Sequence, residues 1–214
     1  DDTISMAGKL NNSDTIDGGA NSLSTTVDTL SATVTGLTAT TGALNVSNVE
    51  RLNLTNGGTT VIDATNIAGA NEIAIITNTT KATVSNLAAA QTVALGTFDT
   101  DGAYGGILVT SLADETGTED SVTINLNDTA TGNNNTVTLQ ATAIETVNLV
   151  VVDKTDTSNA DHTLTVTALN AGTITVAGSD ADAGNTLSLG TLDTDTTNID
   201  ASGYFGILTA TAGT

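Results

Sequence analysis

The stretch Val122–Asn127 (VTINLN) alternates apolar side chains with threonine and asparagine, so that every second side chain can face a core. This period of two residues is typical of a half-buried β-strand. The best helical candidate, Ser85–Gln91, is too short to form an isolated helix. The pattern therefore predicts an all-β protein, and the same alternation recurs in Arg51–Asn56, Glu72–Thr77, Thr136–Ala141, Leu164–Leu169, Thr173–Gly178 and Thr186–Leu192.

The composition indicates how these strands pack. The 214 residues include 46 threonines, two phenylalanines and two tyrosines, with no proline, cysteine or tryptophan. Any core must therefore consist of Val, Ile, Leu and Ala, and short aliphatic side chains suit a thin core. We predict a parallel β-helix, or β-solenoid, with ~20 residues per coil, about ten coils and a length of ~50 Å. The alternative is a tandem pair of β-sandwich domains of about 95 residues each, although sandwiches usually carry core aromatics.

Three phrases occur twice in the same order along the chain. Val49–Leu54 returns as Ile144–Leu149, Gly96–Asp101 returns as Gly190–Asp195, and Tyr104–Leu108 returns as Tyr204–Leu208. The offsets are 95, 94 and 100 residues, which indicates one long unit that occurs about twice. We therefore expect residues 1–45 to be the end of a preceding unit, residues 46–140 to form one β repeat unit, and residues 141–214 to form a second, incomplete one.

The charge restricts the classes of partner. The chain has 24 acidic residues against four Lys and Arg, and its formal net charge is -20. Phosphate groups of nucleic acids and anionic membrane surfaces would be repelled by this excess. No apolar window approaches the roughly 18 residues of a membrane-spanning helix, so we expect no membrane insertion. The self-repulsion of the folded chain would be relieved by divalent cations, and carboxylate oxygens are ligands suited to Ca²⁺.

Four pairs of aspartates are candidate calcium ligands. The first pair lies in the glycine-containing turn Asp14–Gly19, where glycine permits a tight turn and aspartate can bind an ion. The other three pairs have D-x-D spacing, which projects two carboxylates to one side of an extended segment. We predict metal ligation by Asp14 and Asp17, by Asp99 and Asp101, by Asp180 and Asp182, and by Asp193 and Asp195.

Other polar residues are assigned structural roles. Ile62-Asp63-Ala64-Thr65 and Ile199-Asp200-Ala201-Ser202 have the pattern of one turn, in which the aspartate caps backbone N–H groups. Arg51 is expected to pair with a neighbouring acid. His162 is the single histidine, and no nucleophile motif accompanies it. A carbohydrate-active site would need bases beside the acids, and because basic residues are few and scattered we expect no enzyme.

The repeated phrases resemble those of a known family. Val49–Leu54 and Ile144–Leu149 are similar to the "G-I-E-T-L-N-L" phrase of Gram-negative S-layer proteins exported by type I secretion, and Asn198–Gly203 is similar to their "V-D-A-S-G" phrase. Asp14–Gly19 resembles half of the calcium-binding nonapeptide of repeats-in-toxin proteins. The resemblance implies an extracellular, calcium-stabilised β-helical rod at the cell surface.

The resemblance also implies a function and its partners. Members of this family assemble into a two-dimensional lattice, so we expect self-association, with cell-surface polysaccharide as a further partner. Large repetitive adhesins share the same phrases, and a stalk or binding module of a secreted adhesin is the alternative. The two functions differ in solution, because a lattice segment assembles with Ca²⁺ whereas a stalk stays monomeric.

Overall fold

The computed structural model describes residues 2–20, 27–34, 37, 42–56, 58–77, 80–96, 106–128, 138–141, 143–153, 171–179 and 186–214. Apart from one 3₁₀ turn at Ala64–Asn66, its regular elements are strands. The strands are β1 (Thr3–Leu10), β2 (Thr15–Asp17), β3 (Thr29–Val34), β4 (Asn45–Ser47), β5 (Arg51–Asn56), β6 (Thr60–Asp63), β7 (Ile67–Ala68), β8 (Glu72–Thr77), β9 (Lys81–Leu87), β10 (Thr92–Leu95), β11 (Ile107–Leu112), β12 (Ser121–Asp128), β13 (Thr138–Ala141), β14 (Thr146–Asp153), β15 (Thr173–Ser179), β16 (Thr186–Thr191), β17 (Asn198–Tyr204) and β18 (Ile207–Thr211).

The strands stack as a parallel β-solenoid. One face is a nine-stranded sheet in the order β1-β3-β5-β8-β10-β12-β14-β15-β17, and shorter sheets form the other faces: β13-β11-β9-β6, β16-β18 and β2-β4-β7. Every strand pairing in the described part of the chain is parallel. The predicted β-helix is therefore confirmed, and the tandem sandwich is excluded because sandwich sheets are antiparallel.

In the described part of the chain, the coils are as long as the sequence suggested or longer. Thr92 pairs with Glu72 on one side and with Thr123 on the other, so that consecutive passes differ by 20 and 31 residues. Nine stacked strands ~4.8 Å apart give a rod of about 40 Å rather than ~50 Å. The nine-stranded sheet is continuous across the boundaries expected at residues 45/46 and 140/141, because β3 pairs with β5 and β12 pairs with β14.

The interior is a set of aliphatic ladders that run along the rod. One ladder stacks a buried side chain from each of seven consecutive strands of the large sheet: Leu30, Leu52, Ile73, Val93, Ile124, Leu149 and Val176. Across the described residues, the buried hydrophobic core contains only Leu, Ile, Val and Ala. Each fully buried Leu, Ile or Val side chain contributes roughly 1.5–3 kcal/mol by leaving water, so the ladders are the main stabilising term.

The alternating stretches predicted the strand limits well. The predicted stretches Arg51–Asn56 and Glu72–Thr77 coincide with β5 and β8. Leu164–Leu169 lies outside the described residues. The helical candidate Ser85–Gln91 is not helical, because Ser85 to Leu87 complete β9 and the Gln91 side chain accepts a hydrogen bond from the Ala88 N–H at 2.9 Å.

Candidate functional site

Two predicted polar turns hold successive coils together at the corners of the solenoid. Asp17 ends β2, and its Oδ1 accepts hydrogen bonds from the Gly19 N–H at 3.0 Å and from Asn48 Nδ2 of the next coil at 2.8 Å. Asp63 ends β6, and its Oδ1 accepts from the Thr65 N–H at 3.0 Å and from Asn86 Nδ2 at 2.9 Å. Each aspartate therefore caps its own turn and binds an asparagine one coil further along.

The two asparagines share a backbone conformation that suits this role. Asn48 and Asn86 have φ of 51° and 58°, in the left-handed region that asparagine tolerates better than most residues. In the parallel register, Ser47 lies opposite Asp17 and Ser85 lies opposite Asp63, so that each asparagine follows directly. The recurring signal is Ile-Asp in one coil and Ser-Asn in the next, which the sequence analysis did not recognise.

The hydrogen bonds favour the charged form of both carboxyl groups. Donation by Asn48, and then by the Gly19 N–H, lowers the pKa of Asp17. Partial burial by itself would raise the pKa of Asp63, but donation by Thr65 and Asn86 outweighs it and the pKa is lowered. A carboxyl group with a lowered pKa in the folded state stabilises the fold above its ordinary pKa and loses that contribution as the pH falls.

A second set of carboxylates joins coils where the chain enters the large sheet. Oδ1 of Asp28 accepts a hydrogen bond from the Asp2 N–H at 2.6 Å, and Oε2 of Glu50 accepts one from the Asp28 N–H at 2.7 Å. The same contact recurs further along, where Oε2 of Glu145 accepts from the Asp120 N–H at 2.9 Å. In each case the acid belongs to the coil that follows the donor. Glu50 and Glu145 are equivalent positions of the repeated phrase, and this repetition is a sequence signal for the role that the sequence analysis did not use.

The predicted metal ligands Asp14, Asp193 and Asp195 lie in local turns. Oδ2 of Asp14 accepts hydrogen bonds from the N–H and Nδ2 of Asn11 at 2.9 and 3.0 Å. Oδ1 of Asp193 accepts from the Asp195 N–H at 3.1 Å. The other predicted ligands, Asp99, Asp101, Asp180 and Asp182, lie outside the described residues.

The described aspartates do not by themselves fit a calcium centre. Ca²⁺ takes six to eight oxygen ligands, several of them carboxylates. Within the described ranges, no three His, Asp or Glu side chains are grouped so that they could hold a metal ion. Oδ1 of Asp17 and Oδ1 of Asp193 already accept hydrogen bonds from the chain itself. Calcium ligation by the four predicted pairs stays a prediction.

Arg51 is paired with an acid, as expected. Its Nε lies 3.1 Å from Oε1 of Glu72 on the adjacent strand, and Oε2 of Glu72 accepts a hydrogen bond from Asn125 Nδ2 at 2.9 Å. Asn125 lies on β12, and β10 separates β12 from β8. The residue of β10 that pairs with Asn125 is the small Ala94, over which the Asn125 side chain reaches Glu72. This network joins β5, β8 and β12 on the outer face of the large sheet and spans β10 between them.

The capping role predicted for Asp63 and Asp200 is confirmed. Oδ1 of Asp200 accepts a hydrogen bond from the Ser202 N–H at 2.9 Å, two residues ahead, as Asp63 does with Thr65. Donation by the Ser202 N–H and then by its hydroxyl lowers the pKa of Asp200. His162 lies outside the described residues.

The class that the fold defines is a β-solenoid with carboxylate-lined corners. The chain matches no protein-family model, and neither a curated protein nor a solved structure matches it. No helix among the described residues is long and apolar enough to span a membrane.

Proposed function

We propose that this chain is a structural, non-catalytic segment of a self-assembling layer on the outside of a bacterial cell, stabilised by Ca²⁺. The resemblance of its repeated phrases to those of S-layer proteins motivates the proposal. A β-solenoid is compatible with that role because each coil contacts only its neighbours, so that a long rod can be built from short units.

One observation carries the structural role. The polar side chains at the corners are used to join coils: Asp17 to Asn48, Asp63 to Asn86 and Glu145 to the Asp120 N–H. Such contacts give a stiff rod with a defined outer surface, which suits lateral packing into a lattice. We assign no catalytic residue.

The charge supports the need for cations. The chain has four Lys and Arg residues against 24 acidic residues, and one of those four, Arg51, forms an ion pair with Glu72. Packing rods of this charge side by side brings acidic residues of neighbouring rods close together. Outside the cell the Ca²⁺ concentration is about 10⁻³ M, which is enough for Ca²⁺ to bridge weak carboxylate sites. We place these sites at the D-x-D pairs, with Asp193 and Asp195 as the pair that lies within the described residues.

Calcium titration of the 214-residue chain tests the proposal. Light scattering would report assembly and circular dichroism would report folding, each in Ca²⁺, in Mg²⁺ at the same concentration and in excess chelator. We expect large assemblies and a higher melting temperature in Ca²⁺ alone. An unchanged melting temperature and unchanged scattering in chelator would refute the role of calcium.

Matched variants identify the ligands. Asp193→Asn combined with Asp195→Asn should raise the Ca²⁺ concentration needed for assembly, because Asn lacks the charge of a carboxylate ligand. Asp114→Asn is the control, because Asp114 is not a predicted ligand and its Oδ1 accepts from the N–H and hydroxyl of Thr116 within its own exposed turn, and it should leave that concentration unchanged. Calcium binding by a rod that stays monomeric would instead favour an adhesin stalk, for which pull-down on isolated cell-surface polysaccharide is the next measurement.

A further inference from the structure

The outer face of the nine-stranded sheet has little net charge, although the whole chain is strongly acidic. Its nine strands contain two of the four Lys and Arg residues and four of the 24 acidic residues, so they account for -2 (two minus four) of the formal net charge of -20. Three of the four acids lie at the margins of the sheet, because Asp128 and Asp153 are the last residues of β12 and β14 and Asp200 is in the outermost strand, β17. We call the outward side of these nine strands the neutral face.

The fourth acid, Glu72 of β8, is neutralised within the chain. Its Oε1 lies 3.1 Å from Arg51 Nε, and its Oε2 accepts a hydrogen bond from Asn125 Nδ2 at 2.9 Å. The Glu72 side chain is only 15% exposed. A second surface that approaches the neutral face therefore meets a paired acid rather than a solvated carboxylate.

We propose that the neutral face is the surface through which two copies of this chain contact each other, face to face. This contact rests on the proposed function, because it names the surface that would make the self-association proposed there. Each copy presents the same face, so the contact is isologous, with the same residues on both sides.

The distribution of charge favours a second copy as the occupant. The loop between β11 and β12 carries Asp114, Glu115 and Glu119, which are all exposed. Contact through such a surface would oppose carboxylates of two copies, and like charges brought together across an interface are strongly unfavourable. A basic partner would be attracted to these acids rather than to the neutral face. Two neutral faces instead bring together half-exposed uncharged side chains, such as those of Thr123, Asn148 and Val150.

The size of the neutral face also fits a dimer. Nine strands ~4.8 Å apart and about six residues long cover about 40 Å by about 20 Å, or roughly 800 Å². A standard protein–protein interface buries about 800 Å² on each partner. The four-stranded sheet β13-β11-β9-β6 covers roughly 300 Å² by the same spacings, which is too little for a stable contact. The area therefore selects the large sheet.

Sedimentation velocity of the 214-residue chain tests whether two copies associate without calcium. In excess chelator and about 1 M NaCl the Debye length falls to about 3 Å, so repulsion between the exposed acids of two copies is screened. We expect a monomer–dimer equilibrium at about 0.1 mM protein. A chain that stays monomeric would overturn the contact face. The role of calcium is decided separately, by whether Ca²⁺ produces large assemblies, so that either proposal can fail alone.

Charged substitutions test which face makes the dimer. Thr33→Glu with Thr123→Glu places two carboxylates at half-exposed outward positions of β3 and β12. The dimer should dissociate at least about tenfold more readily, because carboxylates inside a contact lose water and are screened little by salt. Thr83→Glu with Thr138→Glu is the matched control, since both threonines are half-exposed on the small sheet, and it should dimerise as the parent does. Parental dimerisation of the neutral-face variant would contradict the proposal.

A milder substitution covers failure of the glutamate variant to fold. The chain has no cysteine, so Thr123→Cys and Thr83→Cys each carry a single thiol. Labelling of that thiol by a bulky maleimide should slow several-fold from dilute to concentrated protein in Thr123→Cys and stay constant in Thr83→Cys. Slowing in both variants, or in neither, would overturn the proposal. Protection of the Thr123→Cys thiol by isolated cell-surface polysaccharide, in protein dilute enough to be monomeric, would assign the neutral face to a glycan instead.

Discussion

Thr110 is the site where one substitution should strengthen the rod. It lies in β11 at an interior position, 1% exposed, between Val84 of β9 and Ala141 of β13 in the parallel register. Its hydroxyl has no hydrogen-bond partner among the described residues. A buried hydroxyl without a partner costs about 1–3 kcal/mol. Thr110→Val replaces that hydroxyl by a methyl group of nearly the same shape, so we expect stabilisation by about 1–2 kcal/mol.

Urea denaturation and thermal melting measure this gain. For a chain of this size, 1 kcal/mol corresponds to about 2–4 °C, so the melting temperature should rise by about 2–8 °C. Thr83→Val on β9 is the matched control, because Thr83 is half-exposed at an outward position, and its effect should stay within about 0.5 kcal/mol. A Thr110→Val variant no more stable than its parent would show that the hydroxyl is satisfied and that our reasoning is wrong.

Two further substitutions test the close approach of strands and the surface network. In urea denaturation, Gly178→Ala in β15 should destabilise the fold by about 3 kcal/mol or more. The reason is that φ is +129° and the new Cβ would collide with the carbonyl oxygen of Val151. Gly58→Ala is the control, because its Cβ would enter open space, and it should cost about 1 kcal/mol or less. Arg51→Leu should destabilise by about 1 kcal/mol at low salt, since it removes the partner of Glu72. The Arg51→Leu difference should shrink in about 1 M NaCl, and an equal loss at both salt concentrations would assign the effect to packing.

The strands could be predicted from the sequence because side-chain alternation is a local property. In β5 the buried residues Leu52 and Leu54 alternate with polar neighbours, and one face of the strand must be buried for any coil to form. The number of residues per coil could not be predicted in the same way. Inserting residues between strands costs little, because loop-closure entropy grows slowly with length. The interval from Thr92 to Thr123 can therefore exceed that from Glu72 to Thr92 without disturbing the ladder.

The polar corners were predictable only in part. The cap of Asp63 on the Thr65 N–H spans two residues, and the local sequence Ile-Asp-Ala-Thr suffices to predict it. The bond from Asn86 spans 23 residues and depends on the coil register, which composition does not give. The same limitation applies to Glu50, since a carboxylate that accepts a backbone N–H and one that binds a cation look alike in sequence.

The carboxylates that accept backbone N–H groups at the start of the large sheet help a strongly acidic chain to stack. Each N–H of Asp2, Asp28 and Asp120 is met by a carboxylate of the next coil, so the acid satisfies a backbone donor at the start of the sheet. The contact involves only adjacent coils, and Asp28 takes part twice, because its carboxylate accepts from the Asp2 N–H and its own N–H donates to Glu50. Among the described residues this contact occurs at three coil interfaces, and at each of them it adds a local favourable term. Repulsion between acids of distant coils is screened beyond about 10 Å at 0.1 M salt, so it cannot accumulate along the rod in the same way. Each of these interfaces is therefore stabilised locally, while the repulsion that opposes stacking is confined to acids of neighbouring coils.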